Sequence, residues 1–250
     1  MVENHSLSQM RHQMPWTSQL ADTYGYATRY RAMTHPSLPN YLAIAGGSTF
    51  GIRDDYPPPA HRLTGHSVFG VARRAGLSAH VYAESMPSNC ALASSGVYAV
   101  RHNPWTYFSH ERHRCRASDT SLARFGRDVR RGRLPRAGMV VPNLCHDAHD
   151  CPLATADAWL KDEVGRAMSG PDFTSGRLAI VITADESDGS SGNRVLTVVV
   201  HPSVQGVVTH APLTHLSLCR LYTQVLGLPP LRHARKAHSM TKAFGLKIRH

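Results

Sequence analysis

Hydrophobic positions along the chain fall into short runs separated by polar, Gly- or Pro-containing connections. The runs at 78–83, 138–141, 178–183 and 195–200 are rich in Val, Ile and Ala and read as strands. Leu178-Ala179-Ile180-Val181-Ile182 is apolar without alternation, the pattern of a strand covered on both faces. Apolar residues at helical spacing predict helices near 37–45, 65–75, 120–130, 155–168 and 213–225. A Gly/Ser-rich loop at 187–192 divides the last two strands, and Pro57-Pro58-Pro59 marks a surface connection. Alternating strands and helices predict an α/β fold with a largely parallel central sheet covered on both sides. The chain reads as one domain over 1–230, followed by a basic C-terminal tail at 231–250.

Within this frame the stretch Thr34-His35-Pro36-Ser37-Leu38-Pro39-Asn40-Tyr41 places a serine where a turn ends and a helix begins. Pro36 pushes His35 out of the helical region, and Gly46-Gly47 closes the helix. Free N–H groups and the positive dipole end favour an anion at that address, which suits a nucleophile that must attack a phosphate. The alternative is that Ser37 merely caps its helix. Asp185-Glu186 follows the buried run, at the carboxyl end of a strand, where open α/β sheets hold their ligand sites. With Glu3 and the amide oxygen of Asn4, these carboxylates form an all-oxygen donor set suited to a divalent cation.

Six segments, in order, carry a resemblance: Glu3-Asn4-His5-Ser6, the 34–41 stretch, Tyr82-Ala83-Glu84-Ser85-Met86-Pro87, His102-Asn103-Pro104-Trp105, the run from Pro142-Asn143-Leu144 to Asp150, and Thr183-Ala184-Asp185-Glu186. Together they resemble the bacterial phosphoesterase family of acid phosphatases and non-specific phospholipases C, within the alkaline-phosphatase-like superfamily. Size and motif order are nearest to the short secreted acid phosphatases, which include phosphatidylinositol 3-phosphate phosphatases. The resemblance implies a three-layer sandwich and hydrolysis of phosphomonoesters. Ser37 would be the nucleophile, and Glu3, Asn4, Asp185 and Glu186 would hold the metal. His102 and His149 would contact phosphate or protonate the leaving group, and His215, Asn40 and Asp147 would line the substrate site. Alternatives are a phospholipase C acting on diesters, or a non-catalytic anion-binding remnant. In the family the Glu-Asn pair ends a first apolar strand; here only Met1 and Val2 precede it, so that strand looks truncated.

Composition adds to this in three ways. Lys and Arg outnumber Asp and Glu, 28 to 17, so the surface should attract anions such as phosphate esters or acidic lipid headgroups. No zinc-finger, helix-turn-helix or RNA-binding signature is present, so nucleic acid is not an expected partner. No run has the length and apolarity of a membrane helix or signal peptide. Cys90 and Cys115 flank the His102 region, Cys145 and Cys151 flank His146 to Asp150, and Cys219 is left over. Two local pairs suit an oxidising, extracytoplasmic setting; a zinc site from Cys145, His146, His149 and Cys151 is the competing reading.

Overall fold

The computed structural model describes residues 1–248. Nine strands are formed among the described residues: β1 (Gly25–Ala27), β2 (Tyr30–Arg31), β3 (Ala79–Ala83), β4 (Asp119–Ser121), β5 (Ala137–Val141), β6 (Ile180–Thr183), β7 (Thr197–Val200), β8 (Val207–Thr209) and β9 (Leu213–Thr214). They assemble as three sheets, ordered β6-β7-β1-β8, β2-β9 and β4-β3-β5. Pairing is parallel for β1–β8, β2–β9, β3–β4 and β3–β5, and antiparallel for β6–β7 and β1–β7. The chain is thus α/β with mainly parallel pairing, and the 187–192 loop closes an antiparallel hairpin.

Two predicted helices lose their first residues to strand pairing. Residues 119–121 pair with β3, so the helix expected from 120 runs only over Phe125–Arg130. Leu213-Thr214 pairs with β2, and the Ser217 hydroxyl accepts from the Thr214 N–H where the helix His215–Leu226 then begins. In both places a short strand pairing wins over helix propensity.

The segment expected as a basic tail packs back onto the domain. Ala234, Met240, Phe244 and Leu246 are buried, and Arg220 donates to the Ala237 carbonyl. Arg232 lies over the Phe50 ring and donates to the Gly46 carbonyl, supporting the end of the buried helix Ser37–Gly46. Of the expected tail, residues 249–250 lie outside the described residues.

The central sheet is divided between β5 and β6, each an edge of its own sheet. Residues 1–3 fill only the top of that gap. Val2 bridges Ala184 in parallel, with Val2 N–H on the Thr183 carbonyl (2.9 Å) and Asp185 N–H on the Val2 carbonyl (3.0 Å). On the other side Glu3 N–H reaches the Asp147 carbonyl at 2.7 Å. Below lies a cavity of about 860 Å³ walled by Met139 of β5, Ile180 to Ile182 of β6, and Leu221 and Tyr222. Ile180 and Val181 are consequently half-buried where the sequence pattern implied full burial.

Both local disulfides, Cys90–Cys115 and Cys145–Cys151, are formed, and Cys219 is free and buried. Disulfide bonding of Cys145 and Cys151 replaces the zinc reading of that loop.

Candidate active site

The helix Ser37–Gly46 is buried at every residue, so its N-terminus is a fixed point inside the protein. Pro36 at its N-cap makes no side-chain cap, and the Ser37 hydroxyl does not turn back onto the helix. It donates instead to Glu3 Oε2 at 3.0 Å. The Ser37 oxygen is thereby aimed into an acidic cluster. Tyr41, one turn further along the same face, donates to Glu3 Oε1.

The cluster gathers at the carboxyl ends of β5 and β6, around the gap that residues 1–3 bridge. Asp185 and Glu186 follow β6, Asp147 lies in the loop after β5, and Glu3 stands between them. All four carboxylates are buried. His102 links two of them, with Nδ1 3.1 Å from Asp147 Oδ2 and Nε2 3.2 Å from Glu3 Oε2.

Such crowding of charge moves proton affinities apart. Burial pushes Glu3 up, but His102 beside it, with hydrogen bonds from Tyr41 and Ser37, outweighs burial and holds it at about 2. Burial lowers His102, yet the Glu3 charge and the Asp147 hydrogen bond lift it to about 9. Asp185 is pushed well up by burial and then by the Glu3 and Glu186 charges. Glu186 is raised to about 8 by burial, Glu3 and Asp55. Burial also raises Asp147. In short, too many carboxylates share this space for all to be ionised without a cation.

The expected metal ligands fit that need. Asp185 Oδ2 is buried with no hydrogen-bond partner, an open lone pair facing the cluster. Asp185 Oδ1 accepts from Asn4 N–H at 3.0 Å, so Asn4 meets the site through its main chain. Glu3, Asp185 and Glu186 supply hard oxygen donors of the kind divalent cations take. Glu3, His102 and Asp147 form a second group whose donor atoms lie within 4.8 Å of one another.

Other expected residues occupy different positions from those the motifs suggested. Asn40 is fully buried; its Oδ1 accepts from Met33 N–H, and its Nδ2 donates to the Thr34 carbonyl and to Glu186 Oε2. It staples the 33–37 turn to Glu186 rather than facing substrate. His215 is fully buried too, with Nδ1 3.0 Å from the Tyr30 hydroxyl and Nε2 2.5 Å from the Asp185 carbonyl oxygen. Burial lowers it to about 4, so it is neutral and braces the backbone of Asp185. His102 is closed in between Glu3 and Asp147, with no face open to a leaving group. His149 stands at the rim, its Nδ1 bonded to Asp150 and its Nε2 3.0 Å from Arg101 Nη2.

Three participants were missed in the sequence. Tyr41 carried a signal, its spacing of four from Ser37 on one helix. His35, with Nδ1 3.3 Å from Glu186 Oε1, sits inside the quoted stretch. Asp55, whose Oδ1 accepts from Leu38 N–H at 2.9 Å, comes from an irregular loop and carried none.

Comparison with known proteins finds relatives along most of the chain. Residues 7–229 match the Phosphoesterase family. A Mycobacterium tuberculosis phosphatidylinositol-3-phosphatase is 30% identical over 235 residues, covering 92% of this chain and 76% of that protein. A Penicillium chrysogenum phosphate-repressible acid phosphatase is also 30% identical, over 86% of this chain; the chain spans 55% of that relative's length. Among solved structures, an alkaline phosphatase superfamily protein from Vibrio parahaemolyticus superposes with a TM-score of 0.65 at 10% identity, covering 97% of this chain and 70% of that one. A phosphonate monoester hydrolase from Silicibacter pomeroyi gives 0.59 at 13% identity, over 98% and 76%. At these identities the structural matches speak for the fold alone.

Proposed function

The chain belongs to the Phosphoesterase family, and from that premise we propose that it hydrolyses phosphomonoesters by transferring the phosphoryl group to Ser37. The observation that carries this is the Ser37 hydroxyl, released from any capping role and held 3.0 Å from Glu3 Oε2 beside the unpartnered Asp185 Oδ2. Relatives named as acid phosphatases and as a phosphatidylinositol-3-phosphatase support the same class of reaction.

In the proposed reaction Ser37 Oγ attacks phosphorus, an O–P bond forms, and the bond to the leaving alcohol breaks in line with it. The serine proton passes to the carboxylate cluster, where Glu3 accepts the resting hydroxyl hydrogen bond and Asp185 and Glu186 have the raised proton affinities. Water then cleaves the phosphoserine and releases inorganic phosphate. A divalent cation held by Glu3, Asp185 and Glu186 would neutralise phosphoryl oxygens and lower the proton affinity of the serine hydroxyl. This chain's own residues fix the geometry: Tyr41 and His102 orient Glu3, Asn40 orients Glu186, and His215 with Asn4 orients Asp185. The leaving oxygen departs towards the open rim and takes its proton from solvent there, since His149 at that rim is bonded through Nδ1 to Asp150 and accepts from Arg101 through Nε2.

Two readings finer than the reaction class follow. The basic balance of the chain and its phosphatidylinositol-3-phosphatase relative favour a phosphate on an anionic lipid headgroup as substrate. Two disulfides favour an oxidising, extracytoplasmic location, and no helix among the described residues is long and apolar enough to cross a membrane. The test is release of inorganic phosphate from p-nitrophenyl phosphate and from phosphatidylinositol 3-phosphate, with and without divalent cations. Turnover of the aryl ester that is abolished by Ser37→Ala supports the proposal; no turnover under any cation counts against it.

A further inference from the structure

Between the rim and the start of the Ser37–Gly46 helix, one carboxylate bridges two donors of very different origin. Asp55 Oδ1 accepts from the Leu38 N–H, the free amide beside the nucleophile, at 2.9 Å. Asp55 Oδ2 lies 3.8 Å from Arg101 Nε. Arg101 is held there by His149, whose Nε2 accepts from Nη2 at 3.0 Å while its Nδ1 is tied to Asp150. A guanidinium and a helix-start amide converging on one anionic group form an anion subsite next to Ser37, and a carboxylate of the chain itself occupies it.

We propose that Arg101 and the Leu38 N–H bind the phosphate of the substrate and of the product, and that Asp55 is a resident placeholder which the incoming phosphate displaces. The inference rests on the reading of Ser37 as nucleophile, because the subsite is defined by adjacency to it. Asp55 is about a third exposed, and its loop reaches solvent at Tyr56, so the carboxylate can swing outward without disturbing the core. Arg101 is only about a fifth exposed and keeps its position through His149 when Asp55 leaves. The placeholder shields the buried amide from being left unpaired in the resting protein. It also weakens phosphate binding, since each phosphate must compete with it, and this aids product release.

The test measures binding of inorganic phosphate by calorimetry, in parallel with KM and kcat for p-nitrophenyl phosphate, on the parent and on Arg101→Met, Arg101→Lys and Asp55→Asn. Loss of one charge-assisted hydrogen bond predicts that Arg101→Met weakens phosphate binding and raises KM together, by about ten- to a hundredfold, with a smaller change in kcat. Arg101→Lys should recover part of that loss, because it restores charge without the fork. Asp55→Asn should do the opposite of Arg101→Met and tighten phosphate severalfold, an effect that disappears when combined with Arg101→Met. If Arg101→Met does not fold, Asp55→Asn and Arg101→Lys still decide. Asp55→Asn weakening phosphate or leaving it unchanged overturns the placeholder, and unchanged phosphate affinity in folded Arg101→Met overturns the subsite. A parent that binds phosphate in this pattern without turning over the ester sinks the catalytic reading while sustaining this one.

Discussion

Replacing Asp185 by Asn separates the two roles that its position implies, cation ligand and source of repulsion. Asp185 Oδ1 accepts from Asn4 N–H, a bond an amide oxygen keeps, whereas Oδ2 has no partner and is the donor a cation would use. Without cation, burial and then the Glu3 and Glu186 charges raise the proton affinity of Asp185 and favour its neutral form, which Asn resembles in shape. Metal-free parent and variant should therefore differ least at low pH, and the variant should gain on the parent as pH rises, because only the parent then takes on the repulsion. With cation the order inverts. Removing one charge about 4 Å from a cation loses roughly 4 kcal/mol per unit of cation charge at an effective dielectric near 20. Relief of repulsion returns part of this, leaving a weakening of about a hundredfold or more. At a cation concentration about 100 times the parent's Kd, the parent gains about 2.7 kcal/mol and a hundredfold weaker variant about 0.4. For a domain of this size that is a rise of about 5–11 °C against about 1–2 °C. Thermal melts with chelator and with Mg²⁺, Mn²⁺ or Ca²⁺ measure it. A variant that keeps the parent's full cation-induced shift would refute the assignment of Asp185 as a ligand.

Further outcomes follow from the same geometry. The metal-free protein should lose stability as pH rises from 6.5 to 9. Glu186 and Asp119, both raised to about 8, favour folding fully only below their ordinary values and less as they ionise, and the contribution of His102 is lost through its value of about 9. Melts in chelator across that range check the sign, and rising stability would contradict it. Tyr41→Phe removes one donor to buried Glu3 and should lower turnover and cation affinity together; a variant that only lowers the melting temperature would reduce Tyr41 to a packing role. An engineered extension of about six β-branched residues before Met1 should insert between the β5 and β6 edges, fill the cavity, raise the melting temperature and protect amides of both strands from exchange. Unchanged exchange would show that the gap does not accept a strand.

The elements that position the site were legible where a residue's environment is set by its neighbours in sequence. The helix at Ser37 follows from Pro36 before it and Gly46-Gly47 after it, and the acidic pair follows from a strand that ends at Thr183. Sequence could not tell that Asn40 and His215 would turn inward, since both are polar residues whose partners come from distant turns. The same limit hid Asp55 and Arg101, which meet only because the 47–60 loop folds over the helix start. The C-terminal segment misled because its charge is obvious, while Met240, Phe244 and Leu246, which bury it, are spaced too sparsely to outweigh six cationic residues.

The central claim is that Ser37 carries the phosphoryl group. The most direct measurement is an acid quench of the protein during turnover of p-nitrophenyl phosphate, followed by digestion and mass spectrometry of the peptide that contains Ser37. One added phosphoryl group on Ser37, absent from Ser37→Ala and lost on dilution into substrate-free buffer, is the result this account predicts. Steady hydrolysis with Ser37 unmodified at every quench time, and undiminished in Ser37→Ala, would contradict it.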